Sequence, residues 1–297
     1  MNGLTLKHLR YFEALARMGH FGRAADVCAI SQPALSMQIK ELETILASPL
    51  FERSSKGLRL TPFGAEFATR ARTILREVDG IADLARAASG AGLAGRLRLG
   101  IIPTIAPYFL PTVMRALQAG YSGLAVHLRE AQTQVLLDEL DEGRLDTAIL
   151  ALPVASPQIE IAPLFTEDFV LVRPMSEAGF AVPSPESLRE MRLLLLEEGH
   201  CFRDQALAFC ALSPMMRARE VMDGSALTTL VQMVSAGMGV TLIPDMAVAV
   251  ETRAAEVVIQ RFAAPAPQRR IGMVWRKTSP IAAPLRQIAA SLTPAAV

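Results

Sequence analysis

Two cysteines, Cys201 and Cys210, occupy the stretch of this sequence whose residue types and spacing are best suited to chemistry. The apolar run over 193–196 predicts a buried strand, and a helix is predicted to follow over about 202–211. Cys201 would then lie at the helix N-terminus, with Arg203 two residues further on. The positive end of the helix dipole and a nearby cation both favour the thiolate, which is the reactive form of cysteine.

The predicted helix bears on whether the two cysteines can join. They are nine residues apart in the sequence, and at the helical rise per residue their Cα atoms would be ~13 Å apart. A disulfide requires the Cα atoms to lie within roughly 7 Å of each other. A Cys201–Cys210 bond would therefore require the helix to unwind, and it would act as a switch. The alternative is that both cysteines are buried and inert, as free cysteines commonly are.

Bulk composition indicates a soluble globular protein. The chain has 297 residues, of which 51% are hydrophobic and 20% charged, so we expect two or three domains. No apolar run approaches the ~18 residues that span a bilayer, and the first ten residues lack a signal-peptide core, so we expect a cytoplasmic protein without a membrane partner. Three cysteines are too few for a disulfide framework. We expect neither a cofactor nor a metal.

The first ninety residues predict a helix-turn-helix followed by a β-hairpin wing. Apolar residues at helical spacing predict a first helix ending near Gly19 and a short second helix over 23–29. Ser31 and Pro33 then predict the start of a third helix, as its N-cap and its early proline. The outward-facing side chains of this helix and the cations of the wing are the predicted DNA contacts: Gln32, Pro33, Ser36, Lys40, Arg53 and Lys56.

A long helix is predicted from Thr61–Pro62 to Gly90. Its apolar residues alternate in steps of four and three, which is a heptad seam of about three heptads. The seam consists of Phe67, Ala71, Ile74, Val78, Ile81, Ala85 and Ala88. Because no partner helix is evident within the chain, the seam predicts a dimer at least, which suits a reader of two DNA half-sites.

Three motifs in this region resemble the LysR-type transcriptional regulators: FxxAA over 21–25, SQPALS over 31–36 and LFER over 50–53. The resemblance extends over nearly the whole chain and implies an α/β protein in three parts. These are a winged helix-turn-helix over 1–61, a linker and dimerisation helix over 62–90, and an effector domain over 91–297 with the two-lobed periplasmic-binding-protein fold. Lobe I would comprise about 95–165 plus 267–297, and lobe II about 166–266.

Short apolar strands alternate with helical stretches from Arg96 onward, which predicts a parallel sheet covered by helices. The later predicted strands include 169–173 and 217–222. A ligand would bind between the lobes, beyond the carboxyl ends of strands. Thr104 and Thr133 directly follow the first two predicted strands, and their hydroxyls could face such a ligand. The alternative is that each threonine only caps the helix after it.

Further motifs resemble the peroxide-sensing (OxyR) branch of that family: IPT over 102–104, EAQT over 130–133, and GHCxRDQAxxFC over 199–210. The resemblance implies that Cys201 is the peroxide-reactive cysteine and Cys210 the resolving one. It also implies a polar pocket around the sulfur, formed by Thr104, Thr133, His200, Arg203, Asp204 and Arg269. Arg270 beside Arg269 makes the last match ambiguous, and the Met-rich stretch after Cys210 departs from the family pattern.

The resemblance therefore implies a transcription activator of the oxidative stress response that is not an enzyme. Its implied partners are operator DNA, further copies of the chain in a dimer and a tetramer, hydrogen peroxide as effector, and RNA polymerase. One alternative is a LysR-type regulator that binds a small anionic metabolite and has structural cysteines. Another is a thiol peroxidase with a DNA-binding head.

Overall fold

The computed structural model describes residues 3–54, 57–88, 93, 95–188, 190–209 and 222–293. The chain divides into an N-terminal unit, Met1–Ala85, and a C-terminal unit, Arg86–Val297. Several predicted features lie outside the described residues: Cys210, Lys56 at the wing tip, and most of the linker over 90–95. Most of the strand predicted over 217–222 lies outside them as well.

The N-terminal unit is a winged helix-turn-helix. Its elements are α1 (Leu6–Met18), α2 (Phe21–Val27), α3 (Gln32–Leu46) and the antiparallel hairpin of β1 (Phe51–Ser54) and β2 (Gly57–Leu60). α1 ends at Met18, and its C-cap Gly19 adopts the left-handed conformation that favours glycine. α3 begins as predicted, because the Ser31 side chain accepts a hydrogen bond from the Ala34 backbone N–H. Sequence signals thus account for the end of α1 and the start of α3.

α2 begins two residues earlier than predicted. Its N-cap is His20, whose Nδ1 accepts hydrogen bonds from the backbone N–H groups of Gly22 and Arg23. Histidine is not among the usual N-cap residues, so the sequence carried no clear signal for this start. Ala24 and Ala25 of α2 are buried in the core of the unit.

α4 (Pro62–Ala88) carries the predicted seam, but the seam divides into two parts. Ala71 is buried in the core of the N-terminal unit, and the Phe67 ring contacts Phe12 edge-on with ring centroids 4.9 Å apart. The expectation that the seam has no packing partner within the chain is therefore wrong for its first portion, which includes Phe67 and Ala71. Further along, Ile74 and Ile81 are 43% and 64% exposed, so this later portion remains open to a partner.

The C-terminal unit is built on a nine-stranded mixed sheet. Its strands are β3 (Arg96–Ile101), β4 (Ala125–Glu130), β5 (Thr147–Leu152), β6 (Ile159–Pro174), β7 (Leu193–Leu196), β8 (Met222–Gly224), β9 (Val240–Pro244), β10 (Val257–Arg261) and β11 (Gln268–Arg276). The order is β4-β3-β5-β11-β6-β9-β7-β8, and β10 also pairs with β6. β3, β4 and β5 are parallel, as are β7, β8 and β9, whereas β6 and β11 run antiparallel to their neighbours.

Two hydrophobic cores define two lobes within this unit. The lobe I core lies between the β3–β4–β5–β11 end of the sheet and helices α5 (Ala106–Gly120), α6 (Thr133–Asp141) and α11 (Ala282–Leu292). The lobe II core lies between β6, β7 and β9 and helices α8 (Cys201–Phe209), α9 (Leu227–Ser235) and α10 (Asp245–Glu251). A further short helix, α7 (Pro185–Leu188), belongs to lobe II.

β6 is the element that the sequence pattern describes least well. Only its second part, 169–173, was predicted as a strand, whereas the structure has an unbroken strand from Ile159 to Pro174. Its first ten residues mix exposed, half-buried and buried positions and include Pro163, a residue type that sequence reasoning places outside central strands. β6 pairs with β11 over 159–168 and with β9 and β10 beyond it, so it carries the chain from one lobe to the other.

Candidate functional site

α8 places Cys201 against lobe I. Cys201 is the first residue of the helix and lies at its N-terminus as predicted. It is a free thiol, half-buried, and packs against the lobe I core. The next residue, Phe202, is buried in the lobe II core, where its ring contacts Phe169 with centroids 4.8 Å apart. Adjacent residues of one helix end therefore engage different lobes.

A buried polar network lies where the lobes meet. Arg269 on β11 donates from Nη1 to Oγ1 of Thr104 at 2.8 Å and from Nη2 to the Thr104 carbonyl at 2.9 Å. Its Nε donates to Oε1 of Glu167 on β6 at 2.7 Å. The guanidinium carbon also lies 5.5 Å from the centroid of the Phe202 ring, a cation–π distance. Arg269 thus links the loop after β3 to the side chain that follows Cys201.

The network resolves the ambiguity between the two neighbouring arginines. Arg269 is 2% exposed, whereas Arg270 is exposed to solvent. The two residues point to opposite faces of β11, as adjacent strand residues do. Arg269 lies directly opposite Glu167 in the β6–β11 register, and this pairing supplies the carboxylate that a buried guanidinium needs.

Neither threonine of the predicted pocket caps a helix. The Thr104 hydroxyl accepts from Arg269, and the N-cap of α5 is the next residue, Ile105, which makes no side-chain cap. Thr133 is the first residue of α6, and its hydroxyl oxygen is buried without a hydrogen-bond partner among the described residues. A buried polar atom without a partner is costly, so the Thr133 hydroxyl retains capacity for a ligand or water.

The three polar residues around Cys201 have different environments. His200 is half-buried, and burial lowers its pKa while the Glu197 carboxylate opposes that change. The lowered pKa favours the neutral imidazole, which can donate one hydrogen bond and accept another. Arg203 is buried and donates from Nη1 to the Leu196 carbonyl at 2.6 Å, while Asp204 is exposed on the first turn of α8.

Two carboxylates of this region were missed by the sequence reasoning. Glu167 holds Arg269 and accepts a hydrogen bond from the backbone N–H of Met246 at 3.4 Å. Burial raises the pKa of Glu167, and the neighbouring guanidinium opposes the rise. Glu251 on α10 is buried and accepts from the Tyr108 hydroxyl on α5 at 2.6 Å. No local pattern distinguishes these two glutamates from the exposed ones of the chain.

The predicted DNA-binding face of α3 is exposed. Leu35, Ile39 and Leu42 are buried, so the opposite face of the helix is free for contact. The predicted contacts on that face are all exposed: Gln32, Pro33, Ser36 and Lys40. Arg53 lies in β1 of the wing. Glu43 of α3 fastens the start of the wing, because its Oε1 accepts from the backbone N–H groups of Leu50 and Phe51 at 2.7 and 3.2 Å.

The described part of the chain contains no cluster of three or more His, Cys, Asp or Glu side chains that could hold a metal. Within the same residues, no helix combines the length and the apolar character needed to cross a membrane.

Comparison with known protein families assigns both units. The family model for the LysR substrate binding domain matches residues 90–296, and the model for the bacterial regulatory helix-turn-helix protein, lysR family, matches residues 6–65. The chain belongs to the LysR family.

Curated relatives place this LysR-family chain in the OxyR branch. It is 44% identical to a probable hydrogen peroxide-inducible genes activator of Streptomyces viridosporus, over 97% of this chain and 93% of the relative. It is 39% identical to the DNA-binding transcriptional dual regulator OxyR of Escherichia coli K12, over 97% and 95%.

Solved structures of the branch have the same fold. A full-length OxyR variant from Pseudomonas aeruginosa is 36% identical and superimposes with a TM-score of 0.77, covering 98% of this chain and 95% of that one. An OxyR variant from Corynebacterium glutamicum, solved with hydrogen peroxide bound, is also 36% identical, with a TM-score of 0.65 and coverage of 97% and 91%. The LysR-family architecture of winged helix-turn-helix, linker helix and two-lobed effector domain is thus confirmed.

Proposed function

We propose that this LysR-family chain regulates transcription in response to hydrogen peroxide, through a reversible disulfide between Cys201 and Cys210. The observation that carries the proposal is the position of Cys201 as the first residue of α8, packed on lobe I beside a helix turn that is buried in lobe II. A change in the bonding of this sulfur alters a contact between the lobes. The names of the relatives support hydrogen peroxide as the oxidant.

In the first step, the Cys201 thiolate attacks one oxygen of hydrogen peroxide. An S–O bond forms and the O–O bond breaks, so that the sulfur becomes a sulfenic acid and hydroxide leaves. The leaving oxygen needs a hydrogen-bond donor. Thr104 is suited to this role, because its Oγ1 accepts from Arg269 and its own hydrogen is therefore directed elsewhere. The Thr133 hydroxyl and the half-buried His200 imidazole are further donors for peroxide or water.

In the second step, the Cys210 thiol displaces the sulfenic oxygen as water and the disulfide forms. α8 is helical from Cys201 to Phe209, which holds the ends of this segment ~12 Å apart at the helical rise per residue. The helix must therefore unwind before the two sulfurs meet. The family models that match the chain are those of LysR regulators, so we propose that this oxidation is a sensing step and not the turnover of a thiol peroxidase.

The anionic-metabolite alternative has less support. A buried cation without a counter-ion at the meeting of the lobes would favour a small anion there. Arg269 is a buried cation at this place, but Glu167 already pairs with it at 2.7 Å. An anion at Arg269 would have to compete with that carboxylate, whose side chain is only 8% exposed.

The proposals for DNA binding and for oligomer formation rest on the N-terminal unit and on the family. We propose that Gln32, Pro33, Ser36 and Lys40 of α3 contact operator bases and backbone, with Arg53 and Lys56 of the wing on phosphates. The open portion of the α4 seam would form the dimer, and dimers would pair into tetramers. The oxidised form would activate transcription through RNA polymerase in the cytoplasm.

Mass spectrometry of the peptides that contain Cys201 and Cys210 tests the proposal. Treatment of the reduced chain with micromolar peroxide should convert both peptides to one cross-linked species, and dithiothreitol should reverse the change. Before treatment, iodoacetamide should alkylate Cys201 faster than Cys28, because burial raises the pKa of the Cys28 thiol. Both cysteine peptides remaining unmodified at peroxide levels that oxidise a known sensor in parallel would reject the proposal.

A further inference from the structure

The loop between β7 and α8, residues 197–200, is held from two sides. On the lobe II side the contacts are backbone hydrogen bonds. The Glu197 N–H donates to the Gly224 carbonyl at 3.1 Å, and the Arg203 N–H donates to the His200 carbonyl at 2.9 Å. On the lobe I side the contact is a side chain, because Nε2 of Gln132 donates to the Glu198 carbonyl at 3.3 Å.

Gln132 also packs against the next residue of the loop. Gly199 has φ +92°, in the left-handed region, and a Cβ built on it would lie 2.9 Å from Cδ of Gln132 and closer still to Oε1. The amide group therefore lies directly against the loop backbone, two residues before Cys201. Gln132 is the N-cap of α6 but makes no capping hydrogen bond with its side chain. Its amide forms a hydrogen bond to the loop of lobe II instead of capping its own helix.

We propose that Gln132 is a positioning residue that holds Cys201 docked on lobe I in the reduced protein and is released when the disulfide forms. This inference rests on the proposed function. Cys201 packs against the lobe I core in the reduced chain, and unwinding of α8 requires it to leave that core. The Gln132–Glu198 hydrogen bond exists only while the loop stays on lobe I, so it stabilises the reduced form alone.

The two chemical steps should respond differently to loss of this bond. Sulfenic acid formation takes place in the docked state, in which Cys201 packs against lobe I, the lobe that carries both pocket threonines. Weakening the bond leaves the docked state in the majority, so the first step should change by less than about twofold. Disulfide formation starts from the undocked state, whose population should rise about three- to tenfold, in line with the net effect of one hydrogen bond.

Gln132→Ala tests the proposal, with Gln134→Ala as the matched control. Gln134 lies on the same helix, is exposed, and bonds to Asp138 at 2.9 Å within α6. Dimedone trapping in a Cys210→Ser background gives the rate of the first step, and disulfide formation from the full chain gives the second. Equilibration in dithiothreitol buffers gives the reduction potential, which should become about 15–30 mV more negative in Gln132→Ala for a three- to tenfold change in equilibrium constant. Gln134→Ala should match the original chain in all three measurements.

Gln132→Met separates the hydrogen bond from the packing, because methionine keeps the length of the side chain and removes the donor. It should shift the potential in the same direction as Gln132→Ala, and a potential equal to that of the original chain would overturn the inference. A first step slowed about tenfold in Gln132→Ala would also overturn it, since Gln132 would then act in the peroxide pocket. If Cys201 of the original chain is not oxidised at all, the proposed function fails. If it is oxidised and Gln132→Ala behaves like Gln134→Ala, the positioning role alone fails.

Discussion

The Arg269 guanidinium and the Glu167 carboxylate lie 2.7 Å apart, directly opposite each other on β11 and β6, with side chains that are 0% and 8% exposed. The pair sits where both strands cross between the lobes. Through Arg269 it reaches Thr104 of lobe I, and through Glu167 it reaches the backbone of Met246 at the start of α10. The Arg269–Glu167 pair therefore connects the predicted peroxide pocket with elements of both lobes.

Glu167→Gln should destabilise the C-terminal unit by about 3 kcal/mol, because it leaves the buried Arg269 charge without a counter-ion. Chemical denaturation monitored at the buried Trp275 measures the change. The control is Glu160→Gln, which removes a similar ion pair, Arg286–Glu160 at 2.6 Å, from the surface. That control should change stability little. Equal effects of the two substitutions would contradict the importance of burial.

Arg269→Lys should slow sulfenic acid formation at Cys201 by about tenfold. Lysine keeps a positive charge for Glu167 but lacks the planar guanidinium, whose three separate nitrogens reach the carboxylate and both oxygens of Thr104. Arg270→Lys changes the exposed neighbour in the same way and should leave the rate unaltered. Stopped-flow measurement of the rate of thiol loss at several peroxide concentrations compares the two variants. If only Arg270→Lys slowed the reaction, Arg270 and not Arg269 would be the arginine of the pocket.

Tyr108→Phe should destabilise the C-terminal unit by about 1–3 kcal/mol, since it leaves the buried Glu251 carboxylate without its donor. Tyr121→Phe is the control, because its hydroxyl makes only a 3.5 Å contact with the Pro284 carbonyl. Burial and the Glu251 hydrogen bond raise the pKa of Tyr108. The stabilisation is thus fully present below the unfolded pKa of about 10 and declines as the pH rises further. The difference between Tyr108→Phe and the original chain should shrink above that pH.

The serine variants of the two cysteines should behave differently. Cys201→Ser should show no peroxide response by any probe. Cys210→Ser should react once, stop at a sulfenic acid that dimedone traps, and over-oxidise on longer exposure. In the original chain, oxidation should raise amide hydrogen exchange over Phe202–Phe209, because the disulfide cannot form while this segment is helical. A disulfide formed with that segment still protected would contradict the unwinding step.

Ile81→Glu should give monomers and abolish operator binding. Ile81 is 64% exposed on α4, and a charge there would be buried against the partner helix in a dimer. Thr69→Glu introduces the same charge at an exposed position of α4 away from the seam and should leave the dimer intact. Sedimentation velocity measures the oligomeric state. An intact Ile81→Glu dimer would place the dimer interface elsewhere.

Local features were predictable from the sequence by itself. Ser31 and Gly19 mark helix ends through side-chain capping and a left-handed turn, and both act within a few residues. The run of four leucines is β7 with the predicted bounds, and Cys201 starts the helix that follows. The family motifs are also local stretches, and they sufficed to predict the winged helix-turn-helix and the two-lobed effector domain.

Only the tertiary structure decided which polar residues meet at the lobe boundary. Glu167 and Arg269 are 102 residues apart in the chain, and Thr104 and Arg269 are 165 apart, so no periodicity connects them. Their contacts depend on the register of β6 against β11, which is set by long-range pairing and not by local propensity. For the same reason Arg269 could not be told from Arg270 beforehand. Of the two arginines, Arg269 is the buried one because it lies opposite the Glu167 carboxylate. Burying a guanidinium without a counter-ion would cost more desolvation free energy than the fold could offset.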